Sequence, residues 1–199
     1  MELVYESTKI QFDTRPTIDM IMESMIEMLG EDQFFSHLIV DQQEIYEDPE
    51  SYLVDCLDEI ESIEIKAKNV TEFMNDVLLS ALDYSQRAVV ALPQLAHDFR
   101  QLPSSRNFND FFHMLEGMEW LHQAVSLVDS FPDEIENRNQ YKVISVYLEI
   151  LAQKIQDAFT LRNYSLIASI IEKELISIYE SIEEINQVLY VSQNREEWH

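Results

Sequence analysis

Glycine is almost missing from this chain: in 199 residues it occurs twice, as Gly30 and Gly117. Tight turns that need a positive φ draw heavily on glycine, so sandwiches and barrels with many such turns are disfavoured. Two isolated glycines also cannot build a phosphate-cradling loop. The single cysteine, Cys56, can form no intramolecular disulfide and belongs to no zinc-binding spacing. Its neighbours Asp55, Asp58 and Glu59 oppose a thiolate, so Cys56 reads as a small hydrophobe on a helix and not as a nucleophile.

Basic residues are scarce too. The 13 Lys and Arg are spread through the chain, and no basic patch for nucleic acid emerges. No apolar run approaches the roughly 18 residues that span a bilayer. Met1–Glu6 has neither the basic nor the apolar region of a signal peptide. The expectation is a cytoplasmic protein that binds neither membrane nor nucleic acid. The G-x-S-x-G and H-E-x-x-H patterns are absent, and no cofactor is expected.

Hydrophobic residues make up 46% of the chain, enough for a sizeable core. The 38 Asp and Glu leave a formal net charge of −25. Residues 1–68 carry 18 acidic against 4 basic residues, and residues 69–199 carry 20 against 9, so the charge is not confined to a tail. Such a surface repels phosphate backbones and anionic lipid; it favours solubility, basic proteins or cations.

The pattern predicts an α+β protein, mostly α, in two parts. In residues 1–68, Leu3–Phe12 reads as a strand. Thr14 or Asp13 caps a helix with Pro16 in its first turn, and Gly30 stops it. Phe34–Val40 and Glu44–Tyr46 flank Asp41-Gln42-Gln43 as a hairpin. Pro49 opens a second helix, and Ser62–Ala67 alternates as a strand. This succession is the split-βαβ, ferredoxin-like order.

From Asn69 the period becomes helical, and residues 69–199 predict an up-down four-helix bundle. The first helix places Val70, Met74, Val77, Ala81, Tyr84 and Ala88 on one stripe, continued by Leu92, Leu95 and Phe99, with Pro93 expected to kink or break it. The second, from about Phe108 to Phe131, turns Phe111, Leu115, Met118, Leu121, Val125 and Val128 to one side, before Pro132-Asp133 ends it. The third, Asn137–Arg162, turns Ile144, Tyr147, Leu148, Leu151, Ile155, Ala158 and Phe159 inward. The fourth repeats Ile171, Leu175, Ile178, Ile182, Ile185 and Leu189 at steps of four and three, before a frayed Ser192–His199.

One segment has metal-ligand character. Glu119 and His122 form a Glu-x-x-His pair, as in di-iron bundles, and His113 and Glu116 stand one helical turn apart. A di-iron site needs a second such motif and two more Glu on separate helices, which the chain lacks. His113, Glu116, Glu119 and His122 are therefore weak candidate ligands, and the plainer reading is a set of partly exposed polar residues beside an apolar stripe. A grouping of His97, His113 and His122 needs two helices side by side. Phe108, Phe111 and Phe112 read as core or as a partner anchor. Met20, Met22, Met25 and Met28 read as core filling or as an adaptable groove.

The leading functional expectation is a non-catalytic protein-interaction protein: an adaptor, an assembly factor or a chaperone-like binder of a basic or helical partner, with a homodimer left open. The alternatives are a metal-dependent helical-bundle enzyme centred on Glu119 and His122, and an acidic mimic of nucleic acid.

Overall fold

The structure, a computed structural model, describes residues 1–30, 33–131 and 137–196, with the side chains of the last helix described through Asn186. Pro132 and Asp133, the Leu189 side chain and the final three residues, all part of the sequence reading, lie outside the described residues. The molecule is mostly helical, with one mixed five-stranded sheet near its N-terminus. The chain divides into two compact units, Met1–Phe73 and the part from Met74 onward.

In the first unit the expected opening strand is a hairpin, β1 (Glu2–Tyr5) and β2 (Thr8–Gln11), turning at Glu6 with φ 51°. Helix α1 (Ile18–Leu29) follows, then β3 (Gln33–Val40), β4 (Gln43–Ile45), α2 (Pro49–Cys56) and β5 (Ser62–Asn69). Thr17 caps α1, accepting from the Met20 amide, so the cap falls three or four residues later than the sequence suggested. Pro16 then precedes the cap; its restriction on the preceding residue keeps Arg15 out of a helix. Asp48 caps α2 ahead of Pro49, whose missing amide costs nothing at that position.

The β3–β4 turn has two residues, Asp41 and Gln42, with φ of 48° and 72°. A glycine is dispensable here because the Asp41 carboxylate accepts from the Glu61 and Ser62 amides and its own amide donates to the Ser62 carbonyl. The turn is thereby tied to the start of β5.

The strand order is β2-β1-β5-β3-β4. β4 and β5 are both antiparallel to β3, so β4–α2–β5 is a βαβ unit split by β3. In the ferredoxin-like order β5 would lie at the sheet edge and β4 between β3 and the opening strand. Instead β4 is the edge and β5 is central, flanked by β3 and by β1, to which it runs parallel. Order along the chain does not choose strand neighbours; here the Glu2 amide bonds the Glu61 carbonyl and seats β1 against β5. Leu3, Ile21, Leu38, Leu53, Ile63 and Ile65 form a core with at most 1% exposure. Each contributes about 1.5–3 kcal/mol from burial.

The second unit takes α3 (Val70–Arg100) from Met74 onward, α4 (Ser105–Ser126) with a 3-10 turn (Leu127–Ser130), α5 (Arg138–Thr160), and a last helical stretch. That stretch comprises α6 (Tyr164–Ile170), a π segment (Ile171–Leu175) and α7 (Ile176–Glu196). The helix therefore continues through the first part of the tail that was expected to fray. No break occurs at Pro93: α3 runs through it. Pro93 sits on the exposed face of α3, while Leu92, Leu95, Ala96 and Phe99 stay buried around it.

Named contacts join each long helix to two others. Phe99 of α3 packs on Phe108 and Phe111 of α4. Phe111 stacks on Phe159 of α5, and Ser126 bonds Ser145 at 2.7 Å. Tyr141 of α5 donates to Asn186 of α7 at 3.0 Å, and Lys154 pairs with Glu174. Arg100 of α3 grips Glu172 with two hydrogen bonds, which hold that carboxyl below its usual range.

Several inward positions differ from the sequence reading. Leu78 and Ser85 are buried in α3, and the Ser85 hydroxyl is satisfied by the Ala81 carbonyl at 2.8 Å. In α5, Tyr141 is fully buried while Tyr147 and Phe159 are exposed at 54% and 36%. In the last stretch Tyr179, not Ile178, faces inward. Ile182 and Ile185 stay inward as expected, so the difference is confined to one turn, where four residues separate Leu175 from Tyr179. Among the described residues, no helix is long and apolar enough to cross a membrane.

Candidate functional site

A groove of about 420 Å³ opens between α4 and α5. Phe111, Phe112, Leu115 and Met118 form the α4 wall, and Leu148, Ala152, Ile155 and Phe159 the α5 wall. Glu119, His122, Glu149 and Gln156 supply its polar edge. The elements place these groups by simple periodicity. Ser104 caps α4 in a reciprocal box with Asn107 and sets the helix phase. Phe111, Met118 and Leu121 then turn inward, and Phe112, Leu115 and Glu119 fall beside them at the seam with α5.

The seam is antiparallel, because Ser126 meets Ser145 at one end and Phe111 meets Phe159 at the other. In that register His122 stands opposite Glu149, Glu119 opposite Ala152, and Leu115 opposite Gln156. The groove is thus graded, with an aromatic end at Phe111, Phe112 and Phe159 and an acidic end at Glu119 and Glu149. Neither of these two carboxylates has an ion-pair partner among the described residues.

The four candidate ligands are not gathered. His113 Nδ1 and Glu116 lie 3.2 Å apart, but both are about three-quarters exposed on the side of α4 away from the groove. Nine residues separate His113 from His122, about two and a half helical turns, which sets the two imidazoles on opposite faces. His97 contacts Gln101 on its own helix. Among the described residues, no group of three or more His, Cys, Asp or Glu is arranged to hold a metal ion.

Behind the groove wall lies a tyrosine cluster that the sequence reading did not single out. Tyr84 packs edge-on to Trp120 and to Tyr179, with ring centres 5.5 and 5.9 Å apart. Its hydroxyl occupies the space over Gly117, where a Cβ would overlap it. The Tyr179 hydroxyl is buried without a partner in hydrogen-bonding geometry, although the Tyr84 hydroxyl stands beside it. Burial raises the pKa of Tyr84, Tyr141 and Tyr179. The glycine in the middle of α4 was the available signal, since glycine inside a helix marks close packing.

Glu149 and Ala152 were unread as site residues, while Phe112 had been read as core or as a partner anchor. The Phe111-Phe112 doublet was the available clue: two adjacent phenylalanines on a helix cannot both face the same core. Phe112 remains 47% exposed at the groove. On another side of α5, Val143, Val146, Tyr147 and Ile150 form a second exposed apolar stripe at helical spacing.

The architecture defines a helical protein with an apolar groove on an acidic surface. The family described as Domain of unknown function (DUF8042) matches residues 76–185, and the protein belongs to that family. The match contains both walls of the groove and the tyrosine cluster. No curated protein and no solved structure matches the chain.

Proposed function

We propose that this is a non-catalytic protein-interaction protein whose helical part is an up-down four-helix bundle docking a partner in the cytoplasm. The carrying observation is the open groove between α4 and α5, apolar on both walls. An apolar surface left open on a chain of net charge −25 meets water at a cost that a bound partner removes. The exposed stripe on the other side of α5 is a second apolar surface left open to water.

The test is recovery of a partner with the tagged full chain and with Ala152→Trp, which places an indole in the groove from an exposed position. The expected result is a partner held by the unmodified chain at low and moderate salt and lost with the filled groove. A partner held equally by both would remove the groove from the reading. A steady-state turnover that disappears with one groove side chain would replace the reading with an enzyme.

A further inference from the structure

We infer that the groove between α4 and α5 takes a short amphipathic helix of another protein, seated with its apolar face on the aromatic end and a Lys or Arg at the acidic end. This rests on the interaction reading above and names the chemistry of the partner.

The length of the groove selects the kind of segment. From Phe111 to His122 α4 rises roughly 16 Å, at 1.5 Å per residue, the length of about three turns of a docked helix. Two antiparallel helices with a furrow between them present the usual helix-in-groove receptor, filled by apolar side chains at i, i+3 or i+4, and i+7.

The charge of the groove selects the occupant. Glu119 and Glu149 edge it, no Lys or Arg lines it, and neither carboxylate is paired among the described residues. Nearby carboxylates do have cations: Asp129 meets Arg138 and Lys142, and Glu174 meets Lys154. The cations of α5 are thus engaged at other places along the helix, and the groove's own acids are left for an incoming one. A second copy of this chain would bring another −25 to the surface, which disfavours it as occupant.

The gradation also sets polarity. The apolar anchors belong at Phe112 and Phe159, and the cation belongs about two turns away, opposite Ala152 and Glu149. An occupant with its positive charge at the other end meets the phenylalanines and forfeits both carboxylates.

The experiment uses the full chain and a labelled, end-capped Leu/Ala/Lys helical peptide of about fifteen residues, long enough for marginal helix formation. Its lysines sit near one end. A matched peptide carries glutamates at those positions. Binding is read by fluorescence anisotropy at moderate salt. The lysine peptide is expected to bind and the glutamate peptide to fail. Glu119→Gln with Glu149→Gln is expected to weaken the lysine peptide about three- to tenfold. Glu23→Gln with Glu27→Gln, on the exposed face of α1, is the control for general attraction to an acidic protein.

Equal weakening by both double variants would overturn the inference in favour of non-specific charge. If both peptides bind alike and Ala152→Trp blocks both, the cationic requirement falls while groove docking stands. If Ala152→Trp alters neither peptide binding nor partner recovery, groove docking falls as well. A dimer seen in sedimentation that Ala152→Trp dissolves, with no peptide bound, would assign the groove to a second copy and overturn the inference.

Discussion

Gly117→Ala sets two effects of opposite sign against each other. In the middle of a helix, alanine is worth about 1 kcal/mol over glycine. Gly117 lies inside α4, so propensity alone makes the substitution stabilising. The tertiary structure reverses that sign. A Cβ at this position would overlap the Tyr84 hydroxyl and reach within 2.9 Å of its ring carbon Cε2. The Tyr84 ring must therefore move, and it is held by edge contacts to Trp120 and Tyr179. Such aromatic contacts are worth about 0.5–1.5 kcal/mol each, so displacing the ring forfeits about 1–3 kcal/mol. The net expectation is destabilisation of up to about 2 kcal/mol, centred near 1 kcal/mol. Urea unfolding, followed by far-UV circular dichroism and by tryptophan fluorescence, measures it. The decisive arm is the background Tyr84→Ala, in which the obstruction is gone and Gly117→Ala becomes stabilising by about 1 kcal/mol. Stabilisation by Gly117→Ala in the unmodified chain would refute the packing argument.

Two buried tyrosines predict opposite outcomes. Tyr141→Phe leaves the buried Asn186 Oδ1 without its donor and costs about 1–3 kcal/mol, whereas Tyr179→Phe removes a hydroxyl with no partner and is neutral or stabilising; chemical denaturation of both variants compares them. Burial raises both phenol pKa values above the ordinary 10.0. The stabilisation tied to these neutral phenols is fully present below pH 10 and is lost as the pH rises toward the folded-state values, with a slope of about 1.4 kcal/mol per pH unit for each tyrosine. Alkaline unfolding monitored by phenolate absorbance should therefore begin at higher pH in Tyr179→Phe than in the unmodified chain. Gly30 closes α1 at φ 69° and ψ −163°, a region open essentially to glycine alone, with nothing within 4 Å of an added Cβ. Gly30→Ala should cost about 1–3 kcal/mol from backbone strain, and a thermal midpoint unchanged from the unmodified chain would contradict that geometry.

The sequence by itself determined which segments are helices and which are strands. Periods of two and of 3.6 are properties of neighbouring residues, so β5 was legible from Ser62 to Ala67 and the long helices from their stripes. It also determined the acidic surface. Even the separation of His113 from His122 was contained in it, since nine residues on a helix end half a turn out of phase whatever the tertiary setting. The tertiary structure decided the rest. Only non-local bonding could seat β1 beside β5 and turn the expected ferredoxin-like order into another sheet. Only packing could carry α3 through Pro93, or turn Tyr179 inward in place of Ile178. The groove belongs to the same category. Each wall is a helix face that looks ordinary alone, and it becomes a site where the register of α4 against α5 leaves Phe112, Glu119, Glu149 and Ala152 around one opening.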